Sequence, residues 1–480
     1  MQPGEGQYDL LRGTRSSETE IIYKTMTRAP SIFNNVLGPV MRGPSSSHTA
    51  AAVRIGTIGR TLLGEAPAYA RFTFDPRGSL ATIYREQGSA MGLAAGLLGM
   101  DIRDEKMTAA EKICVEKGIK IEYRVEKFRD DHPNIYNAYI RGASGKEVHF
   151  MAVSTGGGII MLDEINGRKV EDDIDYVNPL MPVQLKKKPD LPFNNTGDLL
   201  TMIEKEGGLL SDHALRYETA VGDISTEGVL ELASSCLSVM RDAISRGLAG
   251  TDYDDRILHS QSLLFSKKSS TGQLIPAELT NSIIQSVSAL MEVKSSMGLI
   301  VAAPTAGSCG TIPGVLIPCA EAAGKTEEQI TRALLAAGLT GIFISGESGF
   351  AAEEGGCQNE CGSASGMAAA ALVELMGGDA VMAINAASMA LQNTLGMICD
   401  PVAGRVEVPC LGKNVMAALN ALAAANMTIA GYDHVIPLGE VLKAMKQVGA
   451  DMKHEYRCTC KGGLSISPAS ERMHKDLSGS

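Results

Sequence analysis

The sequence predicts two unlike halves: an N-terminal α/β domain with a mixed, mostly antiparallel sheet and flanking helices, then a larger domain that is mostly α-helical. Three observations lead there. Between residues 31 and 176, stretches of alternating apolar and polar residues are interleaved with helical patterns. From about residue 197 onward, long Ala/Leu/Met segments are cut by Gly-rich turns, and strand-like alternation almost disappears. Between the two lies YVNPLMPVQLKKKPDLPFNNTGD, residues 176–198, with four prolines, a lysine run and an Asn pair, the composition of a domain boundary.

Residues 1–30 come first, as a solvated tail: MQPGEGQYDLLRGTRSSETE has no apolar core and does not read as a signal peptide. The first domain spans residues 31–176 and carries GPSSSHTA at 43–50. A helix follows in which Ile55, Ile58 and Leu62 share one face, with Thr49 or Ser47 as its cap. ARFTFD (70–75) alternates like a strand, and GSAMGLAAGLLGM (88–100) reads as a small-residue helix. KIEYRVEKF (120–128), NAYIRGA (137–143) and EVHFMAVS (147–154) read as further strands. Residues 177–196 are the expected linker and 197–480 the helical domain. AAGKT at 322–326 ends like a phosphate-binding loop, but that loop needs a glycine where position 319 is cysteine. The stretch reads instead as the turn into a helix starting near Thr326.

Composition removes whole classes of function. Apolar residues are 44% of the 480, enough for real cores, yet aromatics are 4% and Trp is absent. Cores must be built from Ala, Leu, Ile, Val and Met. The 52 glycines imply many tight turns and close backbone approaches. The net charge is −11, and basic clusters are limited to KKK at 186–188 and scattered arginines, so no nucleic-acid partner is expected. Apolar stretches such as 367–393 are broken by Glu374, Asp379 and Asn385. They fall short of the ~20 clean residues of a membrane span. No membrane partner is expected, and the chain reads as cytoplasmic.

The ten cysteines are unevenly placed: Cys114 and Cys236 stand alone, and the other eight fall between 309 and 460. In a reducing compartment such clustering points to metal binding or catalysis. Zinc sites favour close pairs such as C-x2-C. Here the closest spacings are Cys357-x3-Cys361 and Cys458-x-Cys460. Cys399 and Cys410 flank ten residues that include a Pro-Gly turn, which suits a loop around a larger cofactor. An iron–sulfur cluster normally takes four thiolates. With three, one iron keeps an open position and acts as a Lewis acid. The competing reading is that these are small buried hydrophobes, and spacing alone leaves both open.

The motifs as a set resemble the iron–sulfur-dependent L-serine dehydratases (L-serine ammonia-lyases), in a form with beta and alpha parts fused in one chain, from about residue 31 to 466. GPSSSHT and STGGG (154–158) resemble the smaller beta part. APTAGSCGTIPG (303–314), GGCQNECGSASGMAAAALVELMGG (355–378) and CDPVAGRVEVPC (399–410) resemble the catalytic alpha part. The resemblance implies a [4Fe–4S] cluster on Cys357, Cys399 and Cys410, no pyridoxal phosphate, and deamination of L-serine to pyruvate and ammonia. It also implies oxygen sensitivity and a homodimer. Cys361 then reads as a non-ligand and Cys309 as a packing residue. Some members end in a cysteine that folds back over the cluster, whereas this chain ends HKDLSGS. Cys458 and Cys460 lie well before that end, as a redox or accessory pair or simply part of a turn.

Within this resemblance His48 is a candidate base or proton carrier. Ser45, Ser46, Ser47 and Thr49 offer hydroxyls, and the following helix offers N–H groups, to a substrate carboxylate. The resemblance adds His132, in DHPN (131–134), and Asn134. Which histidine is the base stays open. Gly156 and Gly157 let backbone approach the ligand, and PTAGSCG (304–310) offers Thr305 with backbone amides. Lys294 and Glu347 lie near Gly-rich turns, but no spacing gives them a role. The site is expected between the two domains. Rival readings are a cysteine desulfidase or another β-eliminating lyase on the same cluster, a non-catalytic iron–sulfur redox sensor, and a zinc-binding structural protein. The SSSHT part weighs against the first. The second leaves the histidine and serine loop without a task, and cysteine spacing weighs against the third.

Overall fold

The computed structural model describes residues 28–129 and 132–478. Most of the expected tail, Asp131 of DHPN and the last two residues therefore lie outside the described residues. The expected order is found: a mixed sheet with helices, then a mostly helical region. Strands β1 (Val40–Arg42), β2 (Pro67–Phe74), β3 (Lys120–Val125), β4 (Ile135–Gly142), β5 (Glu147–Gly156), β6 (Ile159–Ile165) and β7 (Arg168–Lys169) precede β8 (Leu299–Val301). A six-stranded sheet has the order β3-β2-β4-β5-β6-β7. Only β2 and β3 pair in parallel; the remaining neighbours are antiparallel.

Alternation decides which face of this sheet is covered. Phe72 and Phe74 of β2, Tyr136, Ala138 and Ile140 of β4, and Phe150 of β5 are all buried and share one core with helix α1 (Ala51–Leu63). Ile55 and Ile58 of α1 are buried as expected; Leu63 completes the face, and Leu62 is only partly buried against it. Helix α2 (Ser89–Leu98) lies along α1 at very short range, since a Cβ at Gly96 would stand 2.2 Å from the Val53 carbonyl oxygen. β6 escaped the sequence reading. It follows β5 after a turn of only two residues, Gly157 and Gly158, so its start is masked by the glycine run.

The helical region is organised around α8 (Ser363–Leu375), whose 13 residues are all buried. It packs against α6 (Thr311–Ala322), α7 (Glu327–Glu347), α9 (Ala380–Gln392) and α10 (Cys410–Ile429). Alanines 368–371 let these axes come close. Thr326 caps α7 through a reciprocal pairing with Gln329, so AAGKT is the turn into that helix. Among the described residues, α7 is the one helix long and apolar enough by length and composition to cross a membrane. However, 78% of its apolar window is buried inside the protein, the mark of a core helix.

The chain's two parts are interleaved. β1 pairs antiparallel with β8, Val40 opposite Val301. Ile32, Phe33, Val36 and Leu37 are buried in the helical core, not the sheet core. Residues 177–196, expected as a linker, also contribute there: Val183 and Phe193 are buried in that core, and the Asn34 side chain donates to the Val183 carbonyl at 2.7 Å. Earlier helices α3 (Leu210–Val221), α4 (Thr226–Ala249) and α5 (Glu278–Ser295) complete the shell.

Glu218 of α3 fastens the N-terminal segment. Its carboxylate accepts from Ser31 Oγ at 2.5 Å and from the Ile32 N–H at 2.7 Å. Burial pushes its pKa up to about 7, against the hydrogen bonds that pull it down. Below pH ~4.5 the carboxyl is protonated in both folded and unfolded chain. As pH rises through 7 the unfolded chain releases its proton earlier, so this contribution to stability is lost on going up, by roughly 3 kcal/mol. Glu218→Gln is expected to flatten the pH dependence of the urea midpoint between pH 5 and 8 relative to the parent. An identical pH dependence in both proteins would remove Glu218 as its source.

Candidate active site and metal centre

The SSSHT loop folds as one wide helical turn, Ser46–Ala50, running straight into α1. Ser45, not Thr49 or Ser47, caps it, accepting from the His48 N–H at 3.3 Å. The helical turn begins upstream of the expected start, so the cap moves upstream with it. Thr49 spends its hydroxyl on the Gln87 carbonyl at 2.8 Å.

His48 is fully buried, and its two ring nitrogens face different groups. Nδ1 lies 3.1 Å from both Ser45 Oγ and Ser47 Oγ and 3.5 Å from Glu353 Oε1. Nε2 lies 3.4 Å from Ser79 Oγ, which donates to Asn134 Oδ1. Burial lowers the His48 pKa, and Glu353 opposes this. Among the described residues, the buried Asn134 Nδ2 has no hydrogen-bond partner. His132 sits beside it, with Nδ1 accepting the Asn134 N–H at 3.0 Å and Nε2 3.1 Å from Glu354 Oε1.

Two contacts carry the loop across to the helical part. Ser47 Oγ donates to Glu353 Oε1 at 3.0 Å, and Ser46 Oγ accepts the Ala306 N–H at 3.1 Å. Gly156 makes the approach possible, because a Cβ there would stand 2.8 Å from the Ala351 nitrogen. Gly157, also at positive φ, faces the Asn35 and Pro304 carbonyls. Thr305 caps the turn 306–308 and donates to Glu360 Oε1 at 2.7 Å.

On the helical side, Cys357 Sγ, Cys399 Sγ and a Glu360 carboxylate oxygen lie within 4.8 Å of one another, a group that could hold a metal ion. The third expected cysteine, Cys410, stands outside this group. It is buried at the first position of α10, close enough to feel the charges of Cys357, Lys294 and Lys413. Burial raises the Glu360 carboxyl to about 7, helped by the neighbouring Glu353. Interaction with the Cys357 and Cys458 thiols, and then burial, raise the Cys399 thiol. Burial pulls the Lys413 ammonium down, but the thiols and Asp400 outweigh it and hold it above its ordinary value. Its Nζ lies 3.8 Å from Cys357 Sγ and donates to Asp400 Oδ1 at 2.8 Å. Lys294 is fully buried in the same region, donating to the Val406 carbonyl.

A family model for the serine dehydratase alpha chain matches residues 168–465, which hold every one of these cysteines, glutamates and lysines. The chain belongs to the serine dehydratase alpha-chain family. It is 37% identical over 287 residues to a probable L-serine dehydratase alpha chain of Bacillus subtilis, covering 60% of this chain and 96% of that one. It is 31% identical to an L-serine dehydratase of Streptomyces coelicolor and 29% identical to one of Escherichia coli, each covering 88% of this chain and 96% of the relative. At that coverage these longer matches extend into the N-terminal α/β part. Glu353, Glu360, Lys294 and Lys413 of this family member were not assigned from sequence. Glu353 and Glu360 flank the GGCQ motif, and that adjacency was the available signal; Lys413 follows Cys410 by three residues.

Proposed function

We propose that this chain is a cytoplasmic L-serine ammonia-lyase that converts L-serine to pyruvate and ammonia. One observation carries the reading: His48 and Ser47, from the N-terminal part, meet Glu353 of the helical part at hydrogen-bond range, and Glu353 in turn acts electrostatically on Glu360 of the Cys357–Glu360–Cys399 group. The relatives' names supply the substrate.

The donor set fits a [4Fe–4S] cluster: three buried cysteines at 357, 399 and 410, with Lys294 and Lys413 to offset the charge of deprotonated thiols. When bound by three thiolates, such a cluster supplies an open iron as Lewis acid toward the β-hydroxyl. The protein's own groups do the rest. Burial keeps His48 neutral near pH 7, so it can accept the α-proton. The Ser45 and Ser47 hydroxyls and Glu353 fix the ring. Asn134 Nδ2 and the backbone around Thr305 are donors for the substrate carboxylate. Loss of the α-proton and of water leaves an enamine, which tautomerises to an imine and hydrolyses to the 2-oxo acid and ammonia. His132 is the second candidate base, the Gly156–Gly157 turn closes the pocket, and the active form is a homodimer.

Protein purified without oxygen is expected to release pyruvate from L-serine and to lose that activity on exposure to air. Iron- and sulfide-replete protein that is inactive on L-serine but active on L-cysteine would overturn the substrate assignment.

A further inference from the structure

Cys458 has no task in the reaction above, yet it is built against a proposed ligand. Cys399 and Cys458 are both 4% exposed and belong to one buried cluster with Cys357, Ile83 and Ala352. Their backbones are tied: the Cys399 N–H donates to the Tyr456 carbonyl at 2.8 Å, and the Cys458 N–H donates to the Cys399 carbonyl at 3.1 Å. This short parallel bridge sets Cys399 opposite Arg457, the residue next to Cys458 in the chain. The two thiols interact directly. Cys458 holds this place at φ +58°, in the left-handed region that non-glycine residues rarely adopt. From the other domain, Gln87 Nε2 donates to Cys458 Sγ at 3.6 Å and fixes the side chain.

We propose that Cys399 and Cys458 are a redox pair, which peroxide joins as a disulfide once the metal group is lost, closing the site to reloading until a thiol reductant opens it. The chemistry balances. Peroxide oxidises one thiol to a sulfenic acid and releases water; the second thiol attacks that sulfur, and a second water leaves as the S–S bond forms. Dithiothreitol returns both thiols. The pairing stands on the geometry of the two cysteines alone, whereas its effect on loading rests on the cluster reading above. Cys460 differs: it is half-buried and packs at the edge of the same cluster.

The test uses full-length protein stripped of metal by chelation, treated with hydrogen peroxide, alkylated and mapped by mass spectrometry. A peptide linking Cys399 to Cys458 is expected in the parent and in Cys460→Ser, and is expected to vanish on dithiothreitol. Iron and sulfide loading, read as visible absorbance, is expected to fall to about a tenth after peroxide and to recover with dithiothreitol. Cys458→Ser is expected to load equally with or without peroxide. Cys399 alkylated in full after peroxide, or joined only to Cys357, would overturn the pairing. A crosslink that forms in a chain unable to load iron under any condition would leave the disulfide standing, overturn its reloading role and remove the cluster reading.

Discussion

Cys399→Ala is expected to abolish visible absorbance and iron content and to lower kcat/KM for L-serine by at least ~10³, about 4 kcal/mol of transition-state stabilisation. The size follows from position. Cys399 Sγ is one corner of the group formed with Cys357 Sγ and the Glu360 carboxylate, and it is buried, so no exposed group can replace it from solvent. Removing one thiol leaves Glu360 and Lys413 facing a smaller donor set whose charges no longer balance. Cys357→Ala and Cys410→Ala are expected to match it. Cys361→Ala is expected to keep both iron and activity, because the Cys361 thiol already accepts from Asn414 Nδ2 at 3.6 Å. Iron retained at parental level in Cys399→Ala, with the melting temperature unchanged, would take Cys399 out of the ligand set.

The sequence was most informative where period and burial coincide. β2, β4 and β5 bury alternate residues against α1, and each is legible as a strand. β1 and β8 were not: each has three residues, too few for a period, and they pair with each other from far-apart stretches of chain, Val40 with Val301. Proline-rich composition likewise suggested that residues 177–196 merely link two domains. Composition carries no information about what a segment packs against, and here Val183 and Phe193 fill the helical core.

At the site, motifs made the cysteines and His48 stand out, but not the groups that join them. Glu353 and Glu360 are ordinary acidic letters in a chain with 55 of them. Their meaning comes from burial beside His48 and Cys357, which only the fold supplies. The same holds for Cys458, whose left-handed backbone and bridge to Cys399 have no signature in YRCTC. Thr49 shows the converse: its place in the motif suggested a substrate hydroxyl, while its oxygen is committed to the Gln87 carbonyl.

His48→Ala is expected to lower kcat by ~10²–10⁴ with iron and sulfide content unchanged, the range for loss of a general base. The ring touches no proposed metal ligand; its neighbours are Ser45, Ser47, Ser79 and Glu353, so the metal group should survive its removal. A base works unprotonated, and burial lowers the His48 pKa. In the parent the rate should therefore hold as pH falls through the ordinary histidine value of ~6.5 and fail only below it. Glu353 acts against burial, raising that pKa. Glu353→Gln is then expected to move the acid limb of kcat/KM still lower, while kcat drops because the ring loses its anchor. A merely structural glutamate would lower activity without moving the limb. His132→Ala serves as the comparison, since its ring contacts Glu354 and the Asn134 N–H but not Glu353. If the loss and the pH shift follow His132 and not His48, the base is His132, and the SSSHT histidine only orders the serines around it.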